Sequence, residues 1–228
     1  MVCEWPSPEA NQGSYPIRCR RRRRGPQRPG ELESLLEEKH PDLRGSIVQI
    51  QDPVRLHKAT GTNLTKRVRS ILNKAEGVAE KHEPGTRVAC LYVHEDFDAV
   101  DGPDYVKTHQ RVEQEIRRQL GHGHYVLAVA EMEAWMLLFP EALSKVVRTW
   151  KVPAKHLGKD TGRFPDPKGV LKREVSKGKG RRYTESDAPD VFRAVIEGGY
   201  LNSSRGSNSS WTHFWRGVEF CARKHLHK

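Results

Sequence analysis

The chain has 228 residues, of which 30% are charged and 36% hydrophobic, and it carries a formal net charge of +11. That length suits one α/β domain of moderate size with appendages. No apolar stretch approaches the ~20 residues of a membrane helix, and the N-terminus lacks the apolar core of a signal peptide. A membrane-spanning or secreted protein is therefore not expected, and the excess of positive charge points to a polyanionic partner, because releasing counterions from phosphates favours binding.

Four cysteines, Cys3, Cys19, Cys90 and Cys221, form no CxxC pair, so no zinc knuckle is expected. Their scatter suits a reducing cytoplasm, and Cys90, inside an apolar run, reads as a small core residue.

In chain order, residues 1–30 hold Pro6, Pro8, Pro16, Pro26, Pro29 and an arginine run over 20–24, a basic, proline-rich composition expected to be flexible. Residues 31–39 read as a short helix with Leu32, Leu35 and Leu36 on one face. Residues 46–50 alternate like a short strand. Residues 63–81 place Leu64, Val68, Ile71, Leu72, Ala75 and Val78 near helical spacing, with Thr62 or Asn63 as a cap. Residues 87–94 are almost wholly apolar and read as a buried strand, leading into Glu95-Asp96-Phe97-Asp98. A helix is expected over 104–120, a second apolar strand over 125–130 and a helix over 131–139. Residues 150–182 are basic and rich in Gly, Lys and Pro, and read as an extended loop or weak helix. A short helix over 187–196, capped by Ser186 or Asp187, and a last helix from Ser209 or Ser210 to about residue 224 complete the chain.

From residue 46 the order is strand, helix, strand, helix, strand, helix. That alternation predicts an α/β fold with a mostly parallel sheet flanked by helices and a helical C-terminal extension. The expected organisation is an N-terminal segment 1–30, an α/β core 31–150, and a basic loop with C-terminal helices over 151–228.

Ligands of such sheets sit at the carboxyl ends of the strands, where Asp96, Asp98, Glu131 and Glu133 fall. Two aspartates two residues apart on extended chain point the same way. Oxygen ligands of this kind suit Mg2+, with Mn2+ as a substitute, and leave room for waters and substrate phosphates. The plainer reading of the first pair is an acidic loop; that of Glu131 and Glu133 is compensation of a helix dipole. Trp135 reads as core packing, and His122 and His124 as a polar turn around Gly123. Lys172, Arg173, Lys177, Lys179, Arg181 and Arg182 are candidate nucleic-acid contacts, or else a solvated basic loop. Ser209 and Ser210 read as helix caps.

Val93-His94-Glu95-Asp96-Phe97-Asp98 and Ala128-Val129-Ala130-Glu131-Met132-Glu133-Ala134-Trp135 resemble the Toprim-like family known as domain of unknown function 4276. Lys179-Gly180-Arg181-Arg182-Tyr183-Thr184-Glu185 and Ser209-Ser210-Trp211-Thr212-His213-Phe214 are similar to its C-terminal pattern, so the likeness covers roughly residues 46–225. The resemblance implies a Toprim-like fold related to the overcoming-lysogenization-defect nucleases. It further implies magnesium on Asp96 and Asp98, a catalytic glutamate after the first strand, and an ATPase partner in bacterial anti-phage defence. Glu4 stands for that glutamate, although Trp5 replaces the family's glycine and most of the first strand would precede Met1.

The expected function is a magnesium-dependent nuclease on nucleic acid, DNA above all, in the cytoplasm. Asp96, Asp98, Glu133 and Glu4 would be the catalytic groups, with Glu131 completing the metal shell. The alternatives are a catalytically degraded module that binds nucleic acid or the ATPase, and an enzyme acting on a small phosphorylated substrate.

Overall fold

The computed structural model describes residues 2–6, 30–50, 55–82, 84–121, 123–178 and 180–225. Most of the proline- and arginine-rich stretch, and with it Lys179 and His122, lies outside the described residues. The chain divides into two compact units, one made of residues 1–93, 111–125 and 218–228, the other of 94–110 and 126–217.

The first unit is built on a four-stranded sheet and one long amphipathic helix. The strands are β1 (Val2–Pro6), β2 (Ile47–Val48), β3 (Thr86–Phe97) and β4 (Gly123–Val129), in the order β2-β1-β3-β4. β1 runs antiparallel to both β2 and β3, pairing Val2 with Val48 on one side and with Leu91 on the other. Helix α1 (Glu31–Lys39) buries Leu32, Leu35 and Leu36. Helix α2 (Gly61–His82) buries Leu64, Val68, Leu72, Ala75 and Ala79, a stripe recurring every three or four residues. Each large aliphatic side chain so buried contributes about 1.5–3 kcal/mol. Gln119, near the end of α3 (Pro103–Leu120), donates from Nε2 to the Thr65 carbonyl at 3.1 Å and ties α3 to α2.

The second unit is helical. After β4 come α4 (Met132–Met136), α5 (Pro140–Val146), α6 (Pro167–Val170) continued by a π-turn over Leu171–Val175, α7 (Ala188–Glu197) and α8 (Ser209–His225). Trp135, Phe139, Trp150, Tyr183, Phe192 and Phe214 are fully buried. Trp135 stacks on Phe214 with centroids 5.6 Å apart and meets Trp211 edge-on at 5.1 Å. Asn208 starts α8: its Oδ1 accepts from the Trp211 N–H at 3.1 Å and from Ser210 Oγ at 2.6 Å. Asn208 is therefore the cap, and Ser210 serves the core by receiving the Trp135 indole N–H at 2.8 Å.

These elements correct the expected fold. The chain does not form a Toprim-like, mostly parallel sheet flanked by helices: helical residues far outnumber strand residues, and β1 runs antiparallel to both of its neighbours. β1 belongs to the stretch whose prolines and arginines argued against structure, so alternation from residue 46 onward missed the strand that sets the sheet's direction. Three boundaries also move. α2 begins at Gly61, ahead of the expected caps Thr62 and Asn63. The expected 46–50 strand shrinks to two residues, and the 131–139 helix to five. His124 is a buried strand residue and not part of a polar turn. Cys90 and Cys221 are paired as a disulfide, with Cα atoms 6.6 Å apart. Among the described residues no helix is long and apolar enough to cross a membrane.

Candidate functional site

In the second unit, the end of β3 and the start of α4 bring carboxylates together. The turn after β4 is tight. Ala130, at φ 61°, is the one positive-φ residue other than glycine among those described, in a left-handed conformation that costs a side-chain-bearing residue about 1–2 kcal/mol. Its N–H donates to the Ala99 carbonyl at 3.0 Å, linking the chain after Asp98 to the chain before Glu131. Such outliers persist where surrounding structure over-determines them. Here the turn sets Glu131 as the residue before α4 and Glu133 inside its first turn.

Asp96, half exposed, has Glu131 and Asp98 as like-charged neighbours, and its carboxylate accepts the Met132 backbone N–H. Desolvation among these groups comes first and the fields of Glu131 and Asp98 follow; together they push the Asp96 carboxyl up to about 6. His94 Nε2 lies 3.7 Å from Asp96 Oδ1. Glu133 is buried. Burial raises its carboxyl above the ordinary range, against the pull of its own backbone N–H, of Lys168 and of a 3.2 Å hydrogen bond donated by the Tyr183 hydroxyl. Burial first, and the Glu133 carboxylate after it, hold the Tyr183 phenol far above its usual range.

The counter-charge is Lys168. Asp166 caps α6 by accepting the Gly169 N–H at 2.6 Å, and Pro167 occupies the first turn, where its missing N–H costs nothing. This start sends Lys168 Nζ to 3.1 Å from Glu131 Oε1, 3.4 Å from Glu185 Oε1 and 3.9 Å from Glu133 Oε1. Burial alone would lower the ammonium's pKa; the hydrogen bond to Glu131 and the fields of Glu133, Glu131 and Glu185 outweigh it and raise it. Lys172 Nζ reaches Glu185 Oε1 at 3.6 Å. In a chain of net charge +11, this rim gathers Glu131, Glu133 and Glu185 around Lys168 and Lys172, with Asp96 beside Glu131 and the exposed Asp98 beside Asp96.

The donor set consists of hard oxygens of the kind magnesium takes, and the raised carboxyls mark partial burial beside like charges. The oxygens do not form a closed cage, because among the described residues no three of them lie within 4.8 Å of one another. Magnesium does not require one, since it keeps several waters and takes one or two carboxylates plus substrate phosphates.

The other expected residues are dispersed. Glu4 pairs across the sheet with Val88, and not with the end of β3 that carries Asp96. Arg173 is engaged with Asp166 at 2.6 Å, and Arg181 with Asp187 at 2.5 Å while lying over the Trp150 ring. Arg182 donates to the Ser176 carbonyl at 3.2 Å and the Lys172 carbonyl at 3.3 Å, closing the π-turn. Lys177 is exposed. Sequence reading missed Lys168, whose position in Asp-Pro-Lys-Gly signals only a helix start. It also gave no role to Tyr183 and Glu185, which stood inside the Arg182-Tyr183-Thr184-Glu185 motif.

Compared with family models, curated proteins and solved structures, the chain matches none.

Proposed function

We propose that this chain is a magnesium-dependent nuclease whose metal is held by Asp96, Asp98 and Glu133, with Glu131 beside them. One observation carries the reading: carboxylates from two distant segments meet where burial first, and the charge of neighbouring carboxylates after it, lets Asp96 and Glu133 hold their protons abnormally well. A divalent cation relieves that crowding. When bound it polarises a phosphate and acidifies water. The protein's own groups divide the remaining work. Lys168 steadies the carboxylates and presents a cation to a phosphate oxygen, Tyr183 fixes Glu133, and the net positive charge of the chain draws in the polyanion. The motifs over 93–98 and 128–135, which resemble a Toprim-like family in sequence though not in fold, support phosphodiester chemistry. Under this reading the chain acts on DNA in the cytoplasm beside an ATPase supplied by another chain.

A second reading has a specific observation in its favour. Lys168 already lies within 4 Å of three carboxylates, as an internal counter-ion does in a module that binds nucleic acid without cutting it. Incubating labelled single- and double-stranded DNA with the protein, in Mg2+ and in chelator, tests the two. The nuclease reading expects cleavage that requires Mg2+ and is lost in Asp98→Ala while binding persists. Binding without cleavage in both conditions supports the module.

A further inference from the structure

The first unit holds a second constellation, made of softer donors. Cys90 on β3, His124 on β4 and Cys221 on α8 are all buried, and one ligand atom from each lies within 4.8 Å of the other two. They are 34 and 97 residues apart along the chain, so no local spacing announces them. His124 Nε2 faces Cys221 Sγ at 3.1 Å. Its other nitrogen, Nδ1, is buried without a hydrogen-bond partner, and Glu113 Oε1 lies 3.8 Å from it. The ring is clamped between Tyr92, stacked at 5.2 Å, and Phe220, edge-on at 5.7 Å.

Buried polar nitrogens are almost always hydrogen-bonded, so this imidazole calls for an explanation. A sulfur is a weak partner for one nitrogen, and the other has none. Both deficits end if a cation lies between the ring and the sulfurs: Nε2 becomes a ligand, and Nδ1–H turns to Glu113, the carboxylate–histidine–metal arrangement that orients many zinc ligands.

We infer that Cys90, Cys221 and His124 form a zinc site in the reduced chain, with Glu113 positioning the imidazole. Two thiolates and one imidazole are donors that zinc prefers over magnesium. With three protein ligands, zinc completes its shell with water or an incoming group. On binding, the two thiol protons pass to solvent and the sulfurs bond the metal. Each cysteine serves either as half of the disulfide or as a thiolate ligand, so the site belongs to the dithiol state. Through these ligands the ion clips β3, β4 and α8 together.

The test uses the full chain purified under a phosphine reductant. Elemental analysis is expected to find about one zinc per chain. Co2+ added to the metal-free reduced protein is expected to give the near-ultraviolet charge-transfer band of thiolate coordination, a readout on the unmutated chain that does not depend on a variant folding. Zinc content falls to background in Cys221→Ser and His124→Ala, and Glu113→Gln weakens zinc binding about 10–100-fold. Asp96→Asn leaves zinc content unchanged, which separates this site from the acidic rim. A reduced chain with all four cysteines as free thiols that shows no cobalt band and takes up no zinc overturns the inference. So does a disulfide that survives the reductant.

Discussion

Lys168 Nζ lies 3.1 Å from Glu131 Oε1, the closest link between the α6 region and the carboxylates that follow β4. A single part-buried ammonium so placed restrains several carboxylates, and its removal is felt by all of them. Lys168→Met keeps the stem and deletes the charge. The expected cost is about 1 kcal/mol, that of a charge-assisted hydrogen bond to the part-exposed Glu131 and weaker ion pairs with Glu185 and Glu133, read as a lower Tm at pH 8. Because the ammonium's pKa is raised above its ordinary 10.5, the lysine side of the contribution is lost only as pH rises beyond that value; at acid pH it is lost instead through protonation of the carboxylates that Lys168 faces. The variant also separates the two functional readings. A phosphate-contacting lysine takes Mg2+-dependent cleavage with it, whereas an internal counter-ion leaves a rim that binds Mg2+ more tightly when removed.

Asp96 sets a pH dependence of the opposite kind. Its folded carboxyl titrates at about 6 against an ordinary 3.8, so between those values the folded chain keeps a proton that the unfolded chain has released. Stability therefore falls as pH rises through that window, and the penalty is complete above it. Asp96→Asn removes the penalty. Discounted for the half-exposed side chain, the gain is on the order of 1 kcal/mol, about 2–4 °C in Tm, at pH 8 and close to nothing at pH 4. Melting curves at the two pH values check it. An equal effect at both would show that Asp96 does not titrate differently on folding.

Tyr183→Phe isolates the bond that fixes Glu133. The ring keeps its edge-on packing on Trp150, with centroids 5.9 Å apart, and the hydroxyl's bond to Glu133 is lost together with its weak 3.9 Å contact to Met136 Sδ. The expected loss is about 1–2 kcal/mol. The carboxyl of Glu133, relieved of a bond that lowers its pKa, moves further up. Carbon-13 NMR of the glutamate carboxyls against pH reads that shift.

Ala130→Gly addresses the turn. Glycine adopts φ 61° without steric cost, so the variant is expected to be more stable by about 1 kcal/mol, the left-handed penalty less glycine's extra chain entropy. Chemical denaturation with an unchanged m-value is the readout.

Helices were the more legible part of this chain. The buried stripe of α2 follows from Leu64, Val68 and Leu72 at four-residue steps, and the apolar run before Asp96 announces a strand. Sheet direction was not legible, because β1 is five residues long with Pro6 at its end, and pairing partners leave no mark in local alternation. At the acidic rim, position relative to the strands pointed to Asp96, Asp98, Glu131 and Glu133. Lys168 and Glu185 come from later segments brought there by α6 and the turn before α7, contacts that no spacing rule encodes. The same holds for Cys90, His124 and Cys221, whose convergence depends on tertiary packing alone.

Isothermal titration of the protein with Mg2+ at pH 7.5, repeated on Asp96→Asn and Asp98→Ala, tests the acidic rim most directly. The account predicts saturable binding to the unmutated chain and at least about tenfold weaker binding to each variant, 1.4 kcal/mol or more. Absence of binding to the unmutated chain, or equal affinity in all three proteins, would contradict it.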